Sequence, residues 1–121
     1  MKSRLCAAFV FSLVLTLVAG CGHKGSQKLS SNDLKAFDSA PAEVKQVWLM
    51  AVEASKTNDY VGGQTLFHRL LNQELTPEQK DAVSKESTAL NQRLYDAFDK
   101  GDAAAVKAVE ELRRNPPNRQ R

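Results

Sequence analysis

Cysteine is nearly absent from this sequence and is confined to its first 21 residues. The chain contains Cys6 and Cys21, and no cysteine follows them. A body without thiols forms no disulfides, offers no thiolate nucleophile and binds no metal through cysteine. These three kinds of chemistry are therefore excluded for residues 22–121.

Other catalytic and metal-binding patterns are missing as well. The two histidines, His23 and His68, are too few for a site alone, because metal sites usually need three or four ligands. No carboxylate stands at a helical spacing that would orient His68, and the acidic turn 99–102 is too short for a calcium loop. The sequence also contains no nucleophile elbow, phosphate loop or zinc spacing. We predict that the protein is not an enzyme and has no catalytic residues, no metal and no cofactor.

The sequence contains a single long apolar run, which lies near the start of the chain. Residues 5–19 are apolar except for Ser12 and Thr16, and these 15 residues are fewer than a membrane-spanning helix needs. The run follows Lys2 and Arg4, and small residues close it. This is the layout of a secretory signal. We predict a signal peptide over residues 1–20, with an uncleaved membrane anchor as an alternative.

The residues that close this run carry a second signal. They read Leu17-Val18-Ala19-Gly20-Cys21 and resemble the lipobox of bacterial lipoproteins, whose cysteine is acylated and becomes the new first residue. The resemblance implies lipidation of Cys21 and a membrane partner, because two or more acyl chains hold a protein firmly on a bilayer. Gly22, rather than Asp, comes next, which implies the outer membrane facing the periplasm in a Gram-negative cell. In a Gram-positive cell the same anchor implies the outer face of the cell membrane, and a plain signal peptide with an incidental cysteine is the alternative.

Positive charge is scarce in the middle of the chain. Beyond the signal, 15 basic and 14 acidic side chains remain. Four arginines and no acid lie in residues 113–121, whereas residues 29–112 are acidic on balance. This distribution lacks the basic surface that nucleic-acid binding requires, so we predict no nucleic-acid partner. Arg113 and Arg114 belong to a basic tail that is either solvated or contacts anionic lipid heads or another envelope polyanion.

Hydrophobic spacing predicts four helices, at residues 41–56, 60–72, 76–99 and 102–114. In the first helix, Val47, Trp48 and Ala51 fall on one face. Thr76 and Gln79 fit a capping box at the start of the third helix. No alternating apolar pattern indicates a strand, and the short loops predict antiparallel neighbours. We therefore predict an all-α body over residues 40–114.

The segments on either side of this body are typical of linkers. Residues 21–39 are predicted to be the lipidated cysteine and a flexible tether, although Leu34 and Phe37 could form one helical turn that docks on the body. Residues 115–117 read Asn-Pro-Pro and stop the last helix. Residues 115–121 are predicted to be a disordered basic tail.

Two turns of the body repeat at an offset of 43 residues, Asn58-Asp59-Tyr60 and Gly101-Asp102-Ala103. Two helical hairpins of similar pattern are therefore expected. The first hairpin resembles a tetratricopeptide unit, and the matching residues are Ala51, Asn58-Asp59-Tyr60, Gly63, Phe67 and, two residues late, Pro77. The family's early tryptophan is replaced by Val47, with Trp48 one place along. In the second hairpin Val106 and Glu110 depart from the pattern.

The resemblance implies two antiparallel hairpins with a helical surface that binds peptide or protein. A plain antiparallel four-helix bundle is the alternative fold. The candidate interaction residues are Trp48, Tyr60, Phe67, Arg113 and Arg114. The apolar stripe also fits a core position for Trp48, and Tyr60 is expected to be half exposed at its turn.

The function predicted from the sequence is that of a lipid-anchored envelope protein that works through protein contacts. Its partners would be the membrane, through Cys21, and an envelope protein. One alternative is a carrier that holds a small apolar ligand between the hairpins. Another is a structural lipoprotein that contacts cell-wall polymer through its basic tail.

Overall fold

The folded body consists of helices joined by short connections. The computed structural model describes residues 29–119, and no strand occurs among them. The elements are α1 Ser31–Lys35, α2 Ala42–Lys56, α3 Tyr60–Leu71, α4 Pro77–Asp99, α5 Ala103–Arg114 and a short 3-10 helix, Pro117–Arg119. The all-α prediction is confirmed. The predicted signal peptide, Cys21 and the first part of the predicted tether lie outside the described residues.

Polar side chains fix where three of the helices begin. Asp59 and Asp102 each accept a hydrogen bond from the backbone N–H three residues ahead, at 3.0 and 2.9 Å, and so cap α3 and α5. Thr76 and Gln79 form the predicted capping box of α4, with reciprocal bonds of 3.2 and 3.0 Å. The starts of α3, α4 and α5 are therefore encoded locally by one or two side chains.

The two hairpin turns share an unusual backbone conformation. Asn58 has φ of 56° and Gly101 has φ of 75°, both in the left-handed region. Glycine adopts this conformation without a steric penalty, and asparagine tolerates it better than most residues. Equivalent positions of the two turns thus use equivalent geometry, as the repeat in the sequence predicts.

Helix α3 lies at the centre of the body because it packs against α2, α4 and α5. Gly63 permits the close approach of α3 to α4, since a Cβ atom there would stand 2.5 Å from Cδ2 of Leu90. The hairpins α2–α3 and α4–α5 share one core of buried side chains. Its members are Phe37, Val47, Trp48, Ala51, Val52, Tyr60, Phe67, Leu70, Leu75, Ala82, Val83, Leu90, Leu94, Ala105, Ala108 and Val109.

The body is longer at both ends than the sequence predicts. The flexible tether does not extend through residue 39, because α1 forms at Ser31–Lys35 and Phe37 is buried in the core. The other expectation for this segment, a helical turn docked through Leu34 and Phe37, holds for Phe37 alone, because Phe37 lies outside α1 and Leu34 is 45% exposed. At the far end, Pro117–Arg119 forms a 3-10 helix that contacts α3, and Pro116 and Pro117 are half-buried there. The prediction of disorder was therefore wrong for residues 117–119.

Among residues 29–119, no helix combines the length and the apolar character that crossing a bilayer requires.

Candidate functional site

Two of the predicted interaction residues lie in the core. Trp48 is 1% exposed and Phe67 is fully buried. The Trp48 ring stacks on Phe37 with centroids 4.4 Å apart and planes 11° apart, and Phe67 lies tilted at 6.3 Å on another side. Both rings bury large apolar areas in these contacts, so neither presents a surface to a partner while Phe37 is in place.

Tyr60 is also buried, which corrects the expectation that it is half exposed. It lines a surface cleft of about 430 Å³ at the hairpin turns, together with Arg93, Asp96 and Asp102. Burial raises the pKa of the Tyr60 hydroxyl, and the nearby Asp102 carboxylate raises that pKa further, whereas Arg93 lowers it. The hydroxyl therefore stays protonated well into the alkaline range.

Arg113 and Arg114 remain exposed in the last turn of α5, as the sequence predicts. Their charge suits the negative end of the helix dipole, and Arg114 also pairs with Glu110 at 3.3 Å. These arginines belong to a different helix from Trp48 and Tyr60. The predicted candidates therefore do not form one site.

The structure builds a different site between α2 and α4. Residues 30–40, which we name the strap, lie against both helices and place Phe37 on Trp48 of α2, and we call the surface that the strap covers the cleft between α2 and α4. The side-chain amide of Gln79, on α4, donates a 2.9 Å hydrogen bond to the carbonyl of Ala36. The other end of the same amide accepts from the backbone of Thr76. One buried side chain therefore joins the start of α4 to the strap.

Ion pairs hold the strap at both ends. Asp33 pairs with Lys85 of α4 at 3.4 Å, and Asp38 pairs with Lys45 of α2 at 3.5 Å. The Asp38–Lys45 pair is exposed on both sides, so it contributes at most about 1 kcal/mol and is weakened by salt. In the Asp33–Lys85 pair the lysine is exposed, whereas the Asp33 side chain is only 12% exposed and is better shielded from solvent.

The indole N–H of Trp48 has no hydrogen-bond acceptor among the described residues, although it is buried. Most buried donors in proteins are paired, because a donor without a partner loses its hydrogen bond to water. Phe37 therefore packs well on the Trp48 ring, but the strap offers no hydrogen-bond acceptor to the indole N–H.

A buried polar cluster lies beside the strap. The carboxylate of Glu86 accepts from the Ser55 hydroxyl at 3.5 Å, and Arg93 donates to the Ser55 hydroxyl at 2.6 Å and to the Ser55 carbonyl at 2.9 Å. Burial raises the pKa of Glu86, and Arg93 partly offsets this, whereas the Asp33 carboxylate adds to the rise.

This shift has a defined effect on stability. The folded-state pKa of Glu86 lies above its ordinary value of 4.5, so folding favours the protonated form. The corresponding stabilisation is fully present below pH 4.5 and is lost as the pH rises through the raised folded-state pKa. At neutral pH the ionised Glu86 therefore costs stability.

A second cleft, of about 470 Å³, lies where the 3-10 helix meets α3 and α4. His68, Leu71, Ser87 and Pro116 are among its lining residues, and His68 pairs with Asn72 through a 3.2 Å contact. Within residues 29–119, no three His, Cys, Asp or Glu side chains come together in a way that could hold a metal ion.

Comparison with known proteins gives no family. No protein-family model matches the chain, and neither a curated protein nor a solved structure matches it significantly.

Proposed function

We propose that the protein is a lipid-anchored envelope protein whose helical body is a non-catalytic module for binding other proteins. The observation that carries the binding role is the cleft between α2 and α4. It holds the protein's own strap through an aromatic stack, a side-chain hydrogen bond to the strap backbone and two ion pairs. Stacked helical hairpins expose surfaces of this kind, and segments bind them through a few side-chain anchors.

The outer faces of the helices supply further support. Leu49 and Met50 on α2 and Tyr95 on α4 are each more than half exposed. Large apolar side chains that stay exposed after the core has formed are available for contacts with another protein. They could complete a module that has only two hairpins, since helical repeats usually need about three units for stability.

The anchor is supported by the sequence Leu17-Val18-Ala19-Gly20-Cys21. Its test is metabolic labelling with a tagged fatty acid in a bacterial host, followed by separation of membrane and soluble fractions. The intact chain should be labelled and sediment with membranes, and the Cys21→Ser variant should be unlabelled. Equal labelling of the two chains would refute the lipid anchor.

The binding role is tested separately, by photo-crosslinking in cells. A photoreactive residue is placed at Met50 or at Tyr95, and the control position is Lys80, an exposed residue near the start of α4. A partner should crosslink repeatedly from Met50 or Tyr95 and not from Lys80. An identical pattern at all three positions, or no crosslink at any, would count against a protein-binding module.

A further inference from the structure

The strap is attached to the body through few contacts. None of the residues of α1 is buried, and Phe37 is the one side chain of residues 30–40 that is buried. Ala36 and Ala40 pack against the core but stay partly exposed, and the polar attachments are the hydrogen bond from Gln79 and the ion pairs of Asp33 and Asp38. A segment with a single fully buried side chain opens more readily than the helices of the core, whose apolar faces are buried along their length.

We propose that the cleft between α2 and α4 is a binding site for a partner peptide, and that the strap occupies this site when the partner is absent. The partner segment would present an aromatic side chain, with one carboxylate four residues before it and another directly after it. This proposal deepens the proposed function, because it names the chemistry that the module recognises.

The chemistry of the partner follows from the groups that line the site. The flat face of Trp48 accepts an aromatic ring, as the 4.4 Å stack with Phe37 shows. Lys85 and Lys45 place positive charge at the two ends of the cleft, where Asp33 and Asp38 lie, and the Glu86 carboxylate near Asp33 offsets part of the Lys85 charge. The Gln79 amide between them donates to a backbone carbonyl, and a peptide of any sequence has such a carbonyl. Aromatic and acidic groups at this spacing are therefore selected, whereas a basic segment is repelled.

The unpaired indole N–H of Trp48 gives a partner an advantage over the strap. Among residues 29–119 nothing accepts a hydrogen bond from it. A partner that brings an acceptor to this buried donor gains an interaction that the strap lacks. The strap in turn has the advantage of covalent attachment, which gives it an effective concentration in the millimolar range. A free partner must compete with the strap, so a substitution that weakens the binding of the strap should raise the apparent affinity for the partner.

The test uses the fact that Trp48 is the single tryptophan of the chain. The protein is the chain from residue 21 onward with Cys21→Ser, alone or with Phe37→Ala. The probe is a synthetic peptide with the sequence of residues 30–40. We expect a saturable change in Trp48 emission when this peptide is added to the Phe37→Ala chain. The intact chain should need at least about tenfold more peptide, because its own strap competes.

Two control peptides separate the aromatic and the charged contributions. A peptide carrying Phe37→Ala should bind at least about tenfold more weakly. A peptide carrying Asp33→Asn and Asp38→Asn should bind several-fold more weakly at about 0.1 M salt, and this difference should vanish near 1 M salt because ion pairs are screened. Equal binding of all three peptides would overturn the proposed recognition.

A second measurement does not depend on the Phe37→Ala chain being folded. Hydrogen exchange of the intact chain should show faster exchange at the strap amides of Ala36, Asp38 and Ala40 than in α3. Equal protection would show that the strap is a fixed part of the core, and the proposal would fail. The formation of a dimer through exchanged straps at micromolar concentration would also overturn it, since a second copy would then be the occupant.

These outcomes are separable from failure of the proposed function. Peptide binding without any crosslink from Met50 or Tyr95 would support the cleft as a peptide-binding site and count against a protein partner on the outer faces. Crosslinks without peptide binding would refute the cleft alone, because those two side chains lie on the outer faces of α2 and α4.

Discussion

Replacing Gly63 with alanine tests how closely the two hairpins pack. The new Cβ atom would stand 2.5 Å from Leu90 Cδ2 and 3.8 Å from both Ala54 Cβ and the Ser55 backbone nitrogen. Leu90 is fully buried, so its side chain cannot swing into solvent. Overpacking of this kind costs about 1–3 kcal/mol, and the higher helix propensity of alanine returns up to about 1 kcal/mol. We expect Gly63→Ala to destabilise the body by about 1–2 kcal/mol.

Shortening the side chain of Leu90 separates the steric cost of Gly63→Ala from its gain in helix propensity. Leu90→Val withdraws the methyl group that obstructs the new Cβ and should cost about 1 kcal/mol alone. In that background Gly63→Ala should be neutral or should stabilise by up to about 1 kcal/mol, because only the propensity gain remains. The two substitutions should therefore couple by about 2 kcal/mol.

The assay is urea unfolding of the four chains, followed by far-UV circular dichroism and by Trp48 fluorescence. A shift in the midpoint at constant slope reports a change in the free energy of unfolding. Coincident curves from the two probes establish that one transition is being measured. If Gly63→Ala stabilises the unmodified body, or has the same effect in both backgrounds within about 0.5 kcal/mol, α3 and α4 do not approach as described.

Substitutions at a turn, at a helix cap and at the buried carboxyl give three further tests. Gly101→Ala should destabilise the body by about 1–2 kcal/mol in urea unfolding. The cause would be backbone strain alone, because no atom lies within 4 Å of the new Cβ, and Gly101→Asn should destabilise less. Equal destabilisation by alanine and asparagine would contradict this explanation. Thr76→Ala should cost about 1 kcal/mol by thermal unfolding because the capping box is lost, whereas Thr76→Ser should retain most of the stability. Glu86→Gln should raise stability at pH 7, and the gain should shrink as the pH falls toward 4.5 and the native Glu86 becomes protonated. A gain that is independent of pH would show that the charge of Glu86 is not the cause.

Helices α3, α4 and α5 were predictable because polar side chains nearby in the sequence fix where they begin. Thr76 and Gln79 satisfy each other's backbone N–H groups, and Asp59 and Asp102 cap the helices that follow the two turns. Gly101 supplies the left-handed residue that ends the second hairpin turn. None of these features depends on a distant part of the chain, so the sequence alone was sufficient to place them.

The burial of Glu86 was missed, although the sequence contains a signal for it. Glu86 lies three residues after Val83 and four before Leu90, which places it in the apolar stripe of α4. The structure buries Glu86 beside Ser55 and leaves its neighbour Ser87 half-buried. A carboxyl at a core spacing indicates a buried polar contact, and polarity alone is a poor guide to exposure.

The strap could not be deduced from periodicity. Helix α1 has five residues and buries none of them, so it has no apolar face. The position of Phe37 depends on the Trp48 ring and on Gln79, and Gln79 lies more than forty residues away in the chain. Such contacts exist only after α2 and α4 have come together. For the same reason Trp48 could be read from the sequence either as a core residue or as an interaction residue.

The strap lies in the chain between the body and Cys21, so its release would also change how far the body can extend from Cys21. If Cys21 carries lipid, residues 22–29 can separate the body from the membrane by at most about 29 Å when fully extended. Release of residues 30–40 would add at most about 40 Å to that reach. A partner that displaces the strap would therefore more than double the distance at which the body can work. Recognition in the cleft and reach from the membrane would then be a single event, because the same eleven residues cannot cover Trp48 and extend the tether at once.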